Sequence, residues 1–389
     1  MCNGTIMDKL ISFSIPLMLS GILQLMFNAV DIVVVGRFSG SQALAAVGST
    51  TALINVFTNL FIGISLGANV LAARYYATGK TKEMSETVHT AIALALVSGV
   101  AMAVIGVVFA RGALEIMGTP DDVIVKSTLY MRIYFCGMPF FMMYNYGAAI
   151  LRAVGDTKRP LIFLILSGVI NAVLNLFMVI GFHLDVAGVG IATVISQLVS
   201  CILVLRCLHH TESSYQLHLA KLRIRSVYLK QIFEVGVPAG IQSTVINISN
   251  AMLQSSVNSF GSIAMAGYTA SNNIFGFLYV SVNSFTQACM SFTSQNYGVK
   301  KLKRMDRVLI DCMILSVVVT LILGSSVYVF GPELLHIYSD QADVIQYGME
   351  IFSYTTVTYF LCGLMDLFPG ALRGMGYSTV PMILSIIGT

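Results

Sequence analysis

Long apolar stretches alternate with short polar segments along almost the whole chain. A window of about 19 residues, enough for one helix to cross a bilayer, separates ten complete stretches and the start of another. These stretches have the length of helices and lack the short alternating pattern of membrane β-strands. The predicted spans are approximately 10–35, 48–73, 88–110, 127–151, 161–182, 187–208, 233–259, 266–297, 309–330, 344–370 and from 381 onward.

Basic residues concentrate in every second polar segment. The segments 74–82, 152–159, 206–230 and 300–307 are rich in Lys and Arg, whereas the alternate segments carry mostly acids. Positively charged loops stay on the cytoplasmic side of a membrane. We therefore expect a multi-pass plasma-membrane protein with a cytoplasmic N-terminus. The first apolar stretch lacks the cleavage site of a signal peptide, so we interpret it as a retained span.

The two halves of the chain repeat one another. The segment 151–155 returns at 372–376, and Pro160 returns as Pro381, in each case 221 residues later. Each repeat contains an even number of spans, six, so both repeats enter the membrane from the same side. This predicts an all-α polytopic membrane protein with two six-helix lobes, related by a pseudo-two-fold axis along the membrane normal with a cavity between them.

The repeat also predicts the domains. We expect an N-terminal lobe at 1–208, a cytoplasmic linker at 209–232 and a C-terminal lobe at 233–389. By the same spacing the second lobe needs residues up to about 429. Twelve helices are therefore expected, of which about ten and a half are present, with the eleventh cut short.

The composition excludes several classes of protein. Hydrophobic residues make up 56% and charged residues 10% of the chain, against about a quarter charged in soluble domains. This argues against a soluble enzyme, a disordered protein and an ordinary nucleic-acid binder. The seven cysteines form no CxxC pair and are interpreted as buried thiols. No GxxxxGK[ST] motif is present, so we expect no nucleotide partner and no cofactor.

One carboxylate stands out within the first span. Gln24, Asn28 and Asp31 are spaced so that they share one face of a helix. A charge inside a bilayer costs several kcal/mol and usually has a function. Asp31 is therefore predicted to bind a proton, or Na⁺ together with neighbouring amides. The alternative is an interfacial residue that faces outer water.

Further polar residues of the first half could complete a pocket around Asp31. Asn171 and Asn175 lie four apart in the fifth span and share a face, and Thr193 lies in the sixth. Tyr130 and Asn145 lie in the fourth span. Each alone is more often a helix–helix contact than a site. Together with Asp31 they predict one polar pocket.

The second half has a different polar pattern. Its intramembrane carboxylate is Asp366, the repeat counterpart of Asn145, whereas the counterpart of Asp31 is apolar. Coupling to an ion is therefore predicted mainly in the first half, with Asp366 a candidate for the substrate cavity. Neutral amides that could line a wet cavity are Asn247, Asn250, Gln254, Asn258, Asn283 and Gln287.

Several of these segments resemble the multidrug and toxic compound extrusion (MATE) family, in both its DinF-like and NorM-like branches. The resemblance rests on the run 30–37 around Asp31, the segment 149–160, and Asn171 with Asn175. It implies twelve helices in two lobes and export of small organic cations in exchange for H⁺ or Na⁺. It covers the whole chain.

The resemblance also implies roles for individual residues. Asp31 matches the acid of the family's first helix, the candidate for ion coupling. Asn171 and Thr193 match polar members of its pocket, and Asn175 matches a position occupied by Asp or Asn. Na⁺ is implied at Asp31, Asn171 and Asn175. Matches that complete the substrate cavity are Gln24, Tyr130 and Asn145.

Two other functions stay open. A flippase of lipid-linked oligosaccharides from the same superfamily needs a strongly basic cavity. Arg132 is the only basic residue that lies away from the ends of the predicted spans, which disfavours this function. An intramembrane enzyme needs clustered acids or His at the cytoplasmic ends of spans, which the sequence lacks. We therefore predict a transporter and not an enzyme, working as a monomer on small organic cations in the lipid bilayer.

Overall fold

The computed structural model describes residues 1–388, apart from the side chains at 41, 52, 251, 255, 258 and 262, so Asn258 of the predicted cavity stripe lies outside the described side chains. Helices and short connections account for the described chain. The α-helices are α1 (Ile6–Phe38), α2 (Ser41–Ala77), α3 (Thr81–Ile116), α4 (Asp121–Cys136), α5 (Met138–Ala153), α6 (Lys158–Leu176), α7 (Asp185–His209), α8 (Ser226–Asn258), α9 (Ser262–Gly298), α10 (Leu302–Val329), α11 (Gly331–His336), α12 (Ala342–Thr358), α13 (Phe360–Met375) and α14 (Thr379–Gly388).

Apolar composition and length make these helices suited to a membrane. Six of the described helices are long and apolar enough to cross one, and the bent pair α12 and α13 makes a seventh span. A helix satisfies its own backbone hydrogen bonds, as a segment in lipid must. The predicted all-α polytopic membrane fold is confirmed. The six helices are α1, α2, α3, α6 with the turn that follows it, α7 and α10.

Two predicted spans are interrupted. The span at 127–151 consists of α4 and α5, which meet at Gly137, and Pro139 lies in the first turn of α5. Proline fits there because the first turn has no partner for its missing N–H. The span at 344–370 bends by 48° between α12 and α13. Apolarity alone does not reveal such breaks.

The chain divides into two compact units. One comprises Leu23–Ile241, and the other comprises Met1–Ile22 together with Gln242–Thr389. The changes of unit fall inside α1 and α8, not in the segment between the repeats. The predicted lobes at 1–208 and 233–389 stay predictions, and each unit is described by itself below.

Within unit 23–241, α2 and the first half of α8 approach unusually closely. A side chain at Gly63 would collide with the backbone of Gly240, and one at Gly67 with the carbonyl oxygen of Ile232. On α8, a side chain at Gly236 would likewise meet the backbone of α2. Small residues four apart allow such backbone contact between membrane helices.

The other unit packs the first turns of α1 among the second-half helices. Leu10, Phe13 and Leu17 are buried with residues of α9, α10 and α13. The rings of Phe13 and Phe292 meet edge to face, with centroids 5.5 Å apart. This aromatic geometry adds about 0.5–1.5 kcal/mol beyond the burial of area. The start of α1 is therefore held by the second repeat.

Candidate ion-binding site

The carboxylate of Asp31 on α1 accepts a hydrogen bond from the side-chain amide of Asn175 on α6. Asn175 is fully buried, and Asp31 is half-buried. The same amide nitrogen, Nδ2, donates to Oδ1 of Asn171 at 3.2 Å, one turn earlier on α6. The i,i+4 spacing predicted from the sequence thus places both asparagines at Asp31.

Thr193 of α7 extends this cluster to a third helix. Its hydroxyl oxygen accepts from Asn171 Nδ2 at 3.5 Å and donates to the carbonyl of Val189 at 2.9 Å. The hydrogen bonds therefore link Asp31, Asn175, Asn171 and Thr193 in one chain. The amide orientations follow from this network. The amide of Asn175 is the donor that stabilises charge on Asp31, and the remaining bonds of the chain hold Asn171 and Thr193 in place beside it.

Two features make the cluster suitable for a cation. In the part of the chain that the structure describes, no ion pair includes Asp31, and Oδ1 of buried Asn175 has no hydrogen-bond partner. A buried acceptor without a donor is costly. Carboxylate, amide and hydroxyl oxygens are ligands of hard cations. The residues present therefore fit either a proton on Asp31 or a small cation among these oxygens.

The backbone changes its winding directly after Asn175. A π-helical turn, Phe177–Gly181, follows α6. Such turns occur mainly as single insertions and often at functional sites. The chain then reverses through His183 and Asp185, both with left-handed backbone angles, and Asp185 pairs with Lys126 at 2.6 Å. This tight reversal fixes α6 against α7 beside the cluster.

The other predicted site residues of the first half lie in different surroundings. Tyr130 is 6% exposed, and its ring lies against Gly190, one turn from Thr193. Gln24 is exposed. Asn145 donates at 2.8 Å to the carbonyl of Phe141 in its own helix. Tyr130 therefore lies beside the cluster, whereas Asn145 is engaged locally.

Asp366 belongs to the other unit, on α13. Tyr359 lies at the bend between α12 and α13, seven residues before Asp366, and its ring stacks on Phe275 with centroids 5.4 Å apart. Aromatic rings near a carboxylate are the surroundings that organic cations favour. Its place in a substrate cavity stays a prediction.

Gln197 of α7 was not predicted. It lies one turn beyond Thr193, and its Oε1 is buried beside Gly137, at the junction of α4 and α5. The i,i+4 spacing of Thr193 and Gln197 could have indicated it. The sequence alone did not show that the break at Gly137 brings backbone to this position.

A carboxylate and amides enclosed by apolar membrane helices are typical of membrane transporters. Comparison with known families agrees with this class. The MatE family model matches residues 16–177 and again 238–389. The chain therefore belongs to the MatE family of membrane transporters, and one match falls within each half of the chain.

Individual relatives extend over nearly the whole chain. Probable multidrug resistance protein YoeA of Bacillus subtilis is 29% identical over 96% of this chain and 82% of its own length. Multidrug export protein MepA of Staphylococcus aureus (strain NCTC 8325 / PS 47) is 21% identical over 99% of this chain and 85% of its own length.

Solved structures share the fold. An outward-facing multidrug resistance MATE transporter of the MOP superfamily superposes with a TM-score of 0.93 at 20% identity, covering 98% of this chain and 86% of that chain. The Vibrio cholerae MATE transporter VcmN gives a TM-score of 0.92 at 19% identity, with the same two coverages. Both confirm the helical transporter fold.

Proposed function

We propose that the protein exports small organic cations across the plasma membrane in exchange for H⁺ or Na⁺. The observation that carries this proposal is the Asp31 carboxylate, which lies among apolar helices and is bound by the amide of Asn175. The names of its relatives as multidrug resistance and export proteins support the substrate class. Transport, not catalysis, is the activity proposed.

In this mechanism Asp31 holds the coupling ion. An incoming proton or Na⁺ neutralises the carboxylate, and Asn175 responds because it is bonded to the same oxygen. Asn171 and Thr193 transmit the change to α7 through their hydrogen bonds. Alternating access then releases the drug outside and returns the ion inward, with the N-terminus on the cytoplasmic side.

The ion can be H⁺ or Na⁺ because the cluster offers both kinds of binding. A proton needs only an oxygen of Asp31. Na⁺ needs several oxygens, and the unpartnered Oδ1 of Asn175 with the oxygens of Asn171 and Thr193 supplies them. We propose Asp366 of the second half as the acidic group that attracts the positive charge of the drug.

The test is efflux of a fluorescent organic cation from cells that express the protein. Efflux is compared between the parent and Asp31→Asn, with and without Na⁺, and with a protonophore. Asp121→Asn, an exposed acid in the first turn of α4, is the matched control. Efflux that needs Asp31 and stops when one ion gradient collapses supports the proposal and identifies the ion.

The opposite outcomes are equally clear. Full ion-coupled efflux by Asp31→Asn would remove Asp31 from the mechanism. No efflux above empty cells, with the protein present in the membrane, would favour the flippase alternative, which is then tested with a lipid-linked oligosaccharide as the substrate.

A further inference from the structure

The segment between the two repeats is firmly attached to α3. Residues 218–225, which we name the linker strap, run along the first turns of that helix. Glu86 of α3 binds Arg223 at 2.5 Å and Arg225 at 3.2 Å, and its side chain is only 16% exposed. One carboxylate therefore holds two guanidinium groups. Partial burial makes this cluster stronger than an ordinary surface pair.

Backbone hydrogen bonds hold the linker strap at two further places. The amide of His218 donates to Nε2 of His89 at 3.1 Å, and His89 is 3% exposed. The amide of Arg225 donates to the hydroxyl of buried Thr90 at 3.3 Å. Glu86, His89 and Thr90, which lie on one face of α3, thus bind both ends of the strap.

The strap ends where α8 begins, and the first half of α8 is in turn held against α2. The hydroxyl of Tyr75 on α2 donates to Gln231 of α8 at 3.0 Å, and the rings of Tyr75 and Tyr228 meet edge to face. Further along, Gly236 and Gly240 press against α2. Residues 226–241 are accordingly part of unit 23–241, whereas the rest of α8 is not.

The N-terminus shows a matching arrangement before α1. The guanidinium of Arg304 donates to the carbonyls of Met1, Asn3 and Gly4 at 2.9–3.2 Å. Lys301 binds the carbonyl of Cys2 at 2.9 Å. The first helix of each repeat is therefore preceded by a segment tied to the other repeat. The segments before α1 and before α8 thus share this arrangement, although their sequences and contacts differ.

We propose that the linker strap locks residues 226–241 of α8 to unit 23–241 throughout transport, so that this half of α8 moves together with α2 and α3. The inference rests on the proposed function for its transport measurement only.

The experiment replaces the central ion pair by a covalent link. Glu86→Cys with Arg223→Cys is made in a background whose seven native cysteines are changed to Ser. Hydrogen exchange of residues 218–241 and efflux of a fluorescent organic cation are measured before and after a short bifunctional thiol reagent. We expect faster exchange and several-fold slower efflux in the reduced protein, and recovery of both after cross-linking.

Arg111→Cys with Glu115→Cys, an exposed pair within α3, should change neither measurement in either state. Efflux slower after cross-linking than before would show that the strap must open, and parental efflux in the reduced protein would show that it has no role. Both results overturn the proposal.

Two further measurements keep the test decisive. Should the cysteine pair not fold, the exchanged set Glu86→Arg with Arg223→Glu and Arg225→Glu restores the attraction and should restore efflux lost in Glu86→Arg alone. If the parent protein shows no efflux, the proposed function fails. Exchange at 218–241 still decides on the strap, because unchanged exchange in the reduced protein rejects the lock.

Discussion

Asn175 donates a hydrogen bond to the carboxylate of Asp31, a residue 144 positions earlier in the chain. The contact joins α1 to α6 inside unit 23–241. An amide of this kind orients the carboxylate without neutralising its charge, so the charge is left for a proton or a cation.

Replacing Asn175 should impair ion-coupled export. Asn175→Ala removes the donor to Asp31 and the link to Asn171. A hydrogen bond to a charged group is worth about 1.5–3 kcal/mol, so we expect ion-dependent efflux to fall roughly tenfold or more. The measurement is the initial rate of efflux as a function of the size of the coupling-ion gradient.

Asn145→Ala is the comparison for this loss. Its amide bonds to Phe141 in its own helix, so the rate should stay near that of the parent. A large effect of Asn145→Ala with none from Asn175→Ala would contradict the arrangement described above.

Removing the charge of Asp366 should affect substrate binding more than turnover. Asp366→Asn keeps the size of the side chain but loses its attraction for cations. We expect the KM for cationic drugs to rise several-fold while the maximal rate changes little. Transport of a neutral substrate analogue is the comparison, and an equal change for both compounds would argue against an electrostatic role.

A methyl group between α2 and α8 should destabilise the protein. Gly63→Ala places a Cβ against the backbone of Gly240. Overpacking of this kind costs about 1–3 kcal/mol, measured as a lower Tm in detergent. Gly48→Ala on the same helix meets no atom within 4 Å and should raise stability slightly. Equal Tm values for the two variants would show that the close contact is absent.

Docking of the linker strap should weaken in acid. Burial, and then the positive charges of Lys221, His89 and His209, lower the pKa of His218. A lowered pKa means that docking is fully favourable above the ordinary value of about 6.5 and is lost as pH falls through the lowered one. Hydrogen exchange of residues 218–225 should therefore be faster at acidic than at neutral pH.

His218→Gln is the control for the pH effect. Any dependence that persists in this variant does not come from the imidazole of His218. Groups that also face this position are Lys82, Glu86, Lys221, Arg223 and Arg225. Equal exchange in the parent protein at both pH values would disprove the prediction.

Much of the fold could be predicted because lipid restricts a chain to few solutions. Apolar stretches had to be helices, and the i,i+4 spacing of Asn171 and Asn175 placed them on one face. The breaks at Gly137 and Tyr359 were missed because both flanking segments remain apolar. Hydropathy indicates which segments prefer lipid to water, but it does not indicate where a helix changes direction.

The part of the site that the sequence did not predict depends on tertiary contacts. Asn145 is the type of residue expected in a polar pocket, yet its amide donates a hydrogen bond within its own helix. Arg223 and Arg225 were counted only as positive charges of the linker, whereas the structure shows them sharing Glu86. Charge patterns indicate the side of a membrane, but they do not identify a partner 137 or 139 residues away.

The hydrogen bonds between Asp31 and Val189 start from Asn175, which donates both to Asp31 and to Asn171, so Asp31 is only an acceptor in this chain. This gives the protein a spectroscopic signature. A carboxylate only accepts hydrogen bonds, whereas a carboxylic acid also donates, and the free Oδ1 of Asn175 lies on the amide already bonded to Asp31. Loading with a proton therefore turns Asp31 into a carboxylic acid, whereas loading with Na⁺ leaves Asp31 ionised. Infrared difference spectra with labelled aspartate would identify the ion directly, without a drug present.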